Sequence, residues 1–281
     1  MVEWTILNLG QISRNRYWGE ADDRVYRPGI CNGIVLRDEK QNILVDPPFS
    51  DEEMLRILDS HAGLKARDIH TVFITHGHVD HAMGAAEFEN VYMSHEDDYI
   101  YEKHGTDAFR RSCFSMVTPP FEAGEEDLIP TMKLSEIKNL KEGDRFDLGG
   151  ISVEIYACPG HTRGSVVMLI PEERLLITGD ACNLFTFVYD DYSTTITEYE
   201  ESLKALLEKV GGKYDNVLLS HGDGNGYPEL IEDVIQVCED IKAGRADDIP
   251  FEFLGTTGLV AKAVDPSRGE RGNIVYNKDR I

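Results

Sequence analysis

Four short apolar runs interrupt an otherwise mixed chain, and each ends abruptly in a residue able to bind a metal or orient a ligand. They are Asn42-Ile43-Leu44-Val45-Asp46, Thr71-Val72-Phe73-Ile74-Thr75-His76, Arg174-Leu175-Leu176-Ile177-Thr178-Gly179-Asp180 and Asn216-Val217-Leu218-Leu219-Ser220-His221. Because the apolar residues are continuous rather than alternating, the runs read as strands covered on both faces. In sheets of that kind, sites collect at the carboxyl ends of the strands. The pattern is also doubled. Asp46 precedes Thr75-His76-Gly77 in the first half, and Asp180 precedes Ser220-His221-Gly222 in the second. Asp46 and His76 are 30 positions apart and Asp180 and His221 are 41 apart, each enough for a strand–helix–strand unit. Two pseudo-equivalent halves facing one shared site are therefore expected.

Three helices are marked between these strands. Ser50-x-x-Glu53 has capping-box spacing ahead of Met54, Leu55, Ile57 and Leu58, with Gly63 closing the segment. Thr197-x-x-Glu200 repeats the device ahead of Leu203, Leu206, Leu207 and Val210, stopped by Gly211. Pro228 suits a first helical turn, followed by a stripe of Leu230, Ile231, Val234, Ile235, Cys238 and Ile241, with Gly244 at the end. Residues 144–170 read as strands Arg145–Leu148, Ile151–Ala157 and Ser165–Ile170, joined by Gly149-Gly150 and by the Cys158-Pro159-Gly160-His161 turn. Residues 95–135 are less regular, with Pro119-Pro120 and an acidic stretch from Glu122 to Asp127, and read as an insertion. No low-complexity linker appears, so residues 1–281 are expected to form a single domain. Segments 11–32, 95–135, 183–197 and 250–281 are left without a readable motif.

Composition narrows the function. Of 281 residues, 51 are Asp or Glu against 28 Lys or Arg, a formal charge of −23. That balance excludes a nucleic-acid partner, whose phosphates demand a basic face. Met1-Val2-Glu3-Trp4-Thr5 lacks a basic region followed by an apolar stretch, and no run is long enough to span a bilayer. A cytoplasmic protein with no membrane partner is expected. Its partner would be a small-molecule substrate, and a homodimer is left open. The five cysteines are scattered, never form a C-x-x-C pair, and read as reduced, buried residues; Cys182 reads as packing.

The chemistry concentrates in Thr75-His76-Gly77-His78-Val79-Asp80-His81. Three imidazoles and a carboxylate within six residues compete with one another unless a cation gathers them. Neutral imidazole and carboxylate oxygen suit Zn2+ first, with Fe2+ and Mn2+ as alternatives. His161, Asp180 and His221, at other strand ends and turns, raise the set to seven. Seven ligands suit two divalent ions sharing one carboxylate, able to hold a water between them and lower its pKa. Histidines His61, His70, His95 and His104 lie outside the set and read as surface or core residues. Phe185, Phe187, Tyr189 and Tyr192 follow Asp180 and could either wall a pocket or fill core.

With these motifs in this order, the chain from about Asp46 to His221 resembles the metallo-β-lactamase superfamily. The resemblance implies a four-layer αβ/βα sandwich of the α/β class. It implies that His76, His78 and His161 bind one metal, that Asp80, His81 and His221 bind the other, and that Asp180 bridges them. Asp46 would orient the ligand loop through hydrogen bonds. The implied activity is a dinuclear hydrolase in which a metal-bridging hydroxide attacks an ester, thioester or lactone carbonyl, with Asp80 as a proton carrier. Acyl-homoserine lactonases carry a Tyr where this chain has Asn183. Glyoxalase II enzymes add a basic carboxy-terminal region, whereas Lys242, Arg245, Lys262, Arg268 and Arg271 here are spread out. A phosphodiesterase of this fold is a rival reading, although one acting on RNA would need a basic surface. The other rival is a persulfide-dioxygenase-like oxygenase with a single Fe2+.

Overall fold

The computed structural model describes residues 3–8, 31–37, 41–47, 55, 58–115, 130–222, 224–253, 255–264 and 271–281. Most of the helix expected after Ser50 lies outside the described residues, as do Pro119-Pro120 and the acidic stretch that follows. The chain divides into two compact units, one of residues 1–140, 147–151 and 220–224, the other of residues 141–146, 152–219 and 225–281. Both are mixed α/β.

In unit one, strands β1 (Glu3–Asn8), β2 (Asn32–Arg37), β3 (Asn42–Val45), β4 (Thr71–Phe73), β5 (Val91–Met93) and β6 (Lys138–Asn139) form one sheet in sequence order. The first three are antiparallel, and β3 to β6 run parallel. Ile43, Leu44, Val45, Val72 and Phe73 are fully buried, which is what their unbroken apolar runs require. The second expected strand is shorter than Thr71–His76. Beyond Phe73 only the amide of Ile74 still donates to a neighbouring strand, at Tyr92 O (2.9 Å). The next amide, that of Thr75, goes to the Asp46 carboxylate instead, so the ladder stops and the histidine-rich loop begins. Helices α1 (Val79–Ala82), α2 (Asp98–His104) and α3 (Asp107–Ser115) follow, so the start of the 95–135 stretch is helical.

Unit two holds two sheets. Strands β7 (Arg145–Asp147), β8 (Ser152–Ala157), β9 (Val166–Ile170), β10 (Leu175–Gly179) and β12 (Asn216–Leu219) are ordered β12-β10-β9-β8-β7. β10 and β12 pair in parallel, as β3 and β4 do in unit one, so the doubling read from the sequence has a structural counterpart in each unit. The other sheet, β11 (Thr186–Val188), β15 (Ile274–Tyr276), β14 (Thr256–Val260) and β13 (Ile249–Phe253), comes from the two segments 183–197 and 250–281. Pro250 argues against a strand on sequence grounds, but β13 is an edge strand, where proline is tolerated because alternate N–H groups face away from the sheet.

Helices α4 (Ile196–Val210) and α5 (Leu230–Lys242) bury their apolar stripes in the unit-two core with Val188, Ile274 and Tyr276. The capping box of α4 falls two residues earlier than Thr197-x-x-Glu200: Thr195 Oγ1 accepts from Glu198 N, and Glu198 returns the bond to Thr195 N. Two overlapping registers compete there, and Glu200 is instead drawn to Lys204 and Lys242. Pro228 precedes the cap residue Glu229 rather than lying inside the helix. Gly244 closes α5 with φ +68°, the left-handed turn glycine supplies at helix ends. All five cysteines are buried and none forms a disulfide. Among the described residues no helix is long and apolar enough to cross a membrane.

Candidate metal centre

Asp46 organises the candidate ligands of unit one. It sits just past β3 with φ +53°, a left-handed conformation that Asp tolerates better than most residues. Its amide donates to Phe73 O (2.8 Å), and its carboxylate is fully buried. Oδ1 accepts from Thr75 N (2.7 Å), while Oδ2 accepts from Thr75 Oγ1 (2.9 Å) and Ser220 Oγ (2.8 Å) and faces His81 Nδ1 (2.9 Å). A buried carboxylate with this many donors is well compensated.

These contacts orient two rings. A carboxylate beside Nδ1 accepts, so a neutral His81 ring would carry its proton on Nδ1 and present a lone pair at Nε2. That lone pair faces Asp80 Oδ2 at 3.6 Å, and His221 Nε2 stands 3.9 Å from the same oxygen. Thr75 Oγ1 spends its proton on Asp46, so it accepts from His76 Nδ1 (3.1 Å). His76 is then left with its Nε2 lone pair turned to His78 Nδ1 at 3.1 Å.

Unit two repeats the arrangement with different parts. His161 Nδ1 donates to the carbonyl of Phe187 (2.6 Å), and a carbonyl likewise only accepts. Its Nε2 lone pair therefore faces Asp180 Oδ2, 3.7 Å away. Asn183 Nδ2 donates to Asp180 Oδ1 (3.2 Å) and so fixes which oxygen is turned to His161. The turn carrying His161 is held by Ser193 Oγ on His161 O (2.9 Å) and by Thr194 N on Gly160 O (2.9 Å). Gly160 has to be glycine: a Cβ there would lie 2.1 Å from Tyr199 Cδ2. Tyr199 in turn donates to Ala181 O (2.7 Å), beside Asp180.

A nitrogen lone pair and a carboxylate oxygen at 3.6–3.7 Å repel one another and are too far apart for a hydrogen bond. They suit two ligands of one cation. Donors about 2.1 Å from a zinc ion at tetrahedral angles stand about 3.4 Å apart. One ligand atom each of Asp80, His81 and His221 lies within 4.8 Å of the others, so the donor set fits a divalent metal.

Several residues that shape the site escaped the sequence reading. Ser220 reaches Asp46 across 174 positions, a contact no local pattern announces. Cys31 Sγ lies 3.4 Å from His81 Nδ1, and burial pushes its thiol pKa up, so it stands there as a neutral thiol. Buried Asp97 accepts from Gly77 N (2.9 Å) in the middle of the ligand loop. His104 is buried and its ring stacks on His78 (centroids 5.1 Å apart) and on Phe109 (3.9 Å). It therefore buttresses a candidate ligand. His70 and His95 do ordinary surface work: His70 Nδ1 accepts from Asn42 N, and His95 pairs with Asp98. Cys182 is core, packed with Cys158, Tyr199 and Cys238.

A model of the metallo-beta-lactamase superfamily matches residues 26–221. The acyl-coenzyme A thioesterase MBLAC2 of Gallus gallus is 30% identical over 273 residues, 90% of this chain and 93% of its own length. The hydroxyacylglutathione hydrolase GloC of Haemophilus influenzae is 25% identical over 199 residues, 68% of this chain and 84% of its own. Among solved structures, a metallo-beta-lactamase family protein from Thermus thermophilus shares the fold with a TM-score of 0.58 at 19% identity, covering 78% of this chain and 79% of that one. With its α/β units and a family match over most of its length, the chain belongs to the metallo-beta-lactamase superfamily.

Proposed function

We propose that the protein is a dinuclear metal-dependent hydrolase of a small-molecule ester, thioester or lactone. His76, His78 and His161 would hold one divalent ion, Asp80, His81 and His221 the other, and Asp180 would be shared. The observation that carries this reading is the pair of Nε2 lone pairs, on His81 and His161, each turned to a carboxylate oxygen beyond hydrogen-bond reach. Thioesters come first among the three substrate classes, because the relative that covers 90% of this chain is named a thioesterase.

Two divalent ions, most simply Zn2+, would supply Lewis acidity to the carbonyl and a water of lowered pKa. The protein's own groups do the rest. Asp46 and the Phe187 carbonyl hold His81 and His161 in the tautomer that presents Nε2. Asn183 keeps Asp180 Oδ2 aimed at His161. Asp80 is partly exposed, with 19% of its side chain open to solvent, so Oδ2 can take a proton from the attacking water and pass it to the leaving sulfur or oxygen.

The test is a panel of thioesters, aryl esters, lactones and phosphodiesters run on protein of measured metal content. Turnover of an acyl substrate that disappears in Asp80→Asn supports the reading. A single bound iron with oxygen uptake on a persulfide, or parent-like hydrolysis by Asp80→Asn, overturns it.

A further inference from the structure

The second sheet of unit two carries an aromatic face that the hydrolysis itself does not use. Phe187 on β11 is its hub, with ring centroids 6.0 Å from Phe185, 5.6 Å from Phe251 and 5.6 Å from Phe253. The opposite face of the same sheet, through Val188, Ile274 and Tyr276, is closed by the α4 and α5 core. Among the described residues, the buried floor of the aromatic face is Tyr189, Val260 and Val275. Phe185, Phe187 and Phe251 are half-buried, while Ile249 and Phe253 are 38% and 37% exposed. Phe185, Phe187 and Phe251 pack on that floor with part of each residue still exposed, and contiguous exposed apolar patches mark binding surfaces. Gly258 pairs with Phe251 in the β13–β14 register, and its missing side chain leaves room for Tyr189, whose Cδ2 a Cβ there would meet at 3.0 Å.

The same strand is tied to both candidate ligands of unit two. Phe187 O accepts from His161 Nδ1. Asn183 links Asp180 to Phe185, donating to Asp180 Oδ1 and accepting from Phe185 N (2.6 Å). The Phe187 backbone is thus one hydrogen bond from His161, and Asn183 joins the Phe185 backbone to Asp180.

We propose that this face binds the apolar acyl part of the substrate, so that the enzyme favours acyl groups with several methylenes over acetyl. The inference rests on the hydrolase reading above. In the reaction, the acyl carbon–sulfur bond breaks, water gives its hydroxyl to the acyl carbon, and a proton goes to the thiol.

Two readouts test it. The first is kcat/KM for acetyl, hexanoyl and decanoyl thioesters of one common thiol, in the parent, in Phe253→Ser and in Phe251→Leu, the last of which keeps an apolar group on the sheet. Taking the decanoyl-to-acetyl ratio within each protein cancels losses of folded or metallated enzyme. We expect a ratio of about tenfold or more in the parent, collapsing to about twofold in Phe253→Ser. The second is calorimetric binding of decanoate against acetate, which needs no turnover. A parent that binds both alike, or a ratio that Phe253→Ser leaves intact, overturns the inference. So does a concentration-dependent dimer that Phe253→Ser abolishes without affecting decanoate. Phe253-dependent decanoate binding in a protein that cleaves no ester, thioester or lactone would instead sink the hydrolase reading and leave the acyl-binding face standing.

Discussion

Asp46 shows how much of the site depends on a single side chain. Its two oxygens meet Thr75 N, Thr75 Oγ1, Ser220 Oγ and His81 Nδ1, and only acceptors serve there. Asp46→Asn would point an amide donor at donors and loosen the His81 ring. Metal affinity is expected to fall about 10- to 100-fold, read by competition with a chromophoric chelator; parent-like affinity would contradict the role. The candidate ligands could be proposed from the sequence, because residue type and tight spacing carry their chemistry. The residues that orient them were not. Ser220, Cys31, Asp97 and His104 are ordinary in sequence, and they acquire their roles only when the fold brings them to Asp46, His81, Gly77 and His78.

Among the elements, the buried strands were readable because unbroken apolar runs have few other uses, and β3, β10 and β12 fall within a residue or two of their runs. The sheet built from β11, β13, β14 and β15 was not readable. Its edge strand contains Pro250, and Gly258 breaks the apolar pattern of β14. The cap of α4 was misplaced by two residues because two Thr-x-x-Glu registers overlap. The structure predicts that Thr195→Ala costs about 1 kcal/mol in urea unfolding, whereas Thr197→Ala, which removes no cap, costs clearly less; equal losses would put the cap elsewhere. At the His161 turn, Gly160→Ala drives a methyl into Tyr199. A loss of about 1–3 kcal/mol is expected, together with weaker metal retention, because the same turn positions His161. A variant of parent stability would show that the turn is looser than described.

For the whole molecule, the two units interleave in sequence, so no composition shift marks a boundary between them. The acidity of the chain also has consequences. With a formal charge of −23, self-repulsion is screened by salt, and Tm is expected to rise as ionic strength goes from about 0.01 M to about 0.15 M. Against that background, specific carboxylates still stabilise the fold. Burial alone would raise the pKa of Glu200, but hydrogen bonds from Lys204 (2.6 Å) and Lys242 (3.0 Å) outweigh it and hold the group below its ordinary 4.5. A lowered native pKa stabilises fully above the unfolded value and is lost as pH falls through the native one. Glu200→Gln should therefore unfold at lower urea than the parent at pH 7, and the gap should close as pH drops below 4.5; a gap that persists in acid would assign the loss to packing.

The most direct test of the account is the metal content of the purified chain after reloading with zinc and desalting, measured by elemental mass spectrometry. Lone pairs of His81 and His161 turned to carboxylates predict about two divalent ions per folded chain, with clear losses in His81→Ala and in His161→Ala. A folded protein that retains no metal, or one whose retention survives both substitutions, would contradict it.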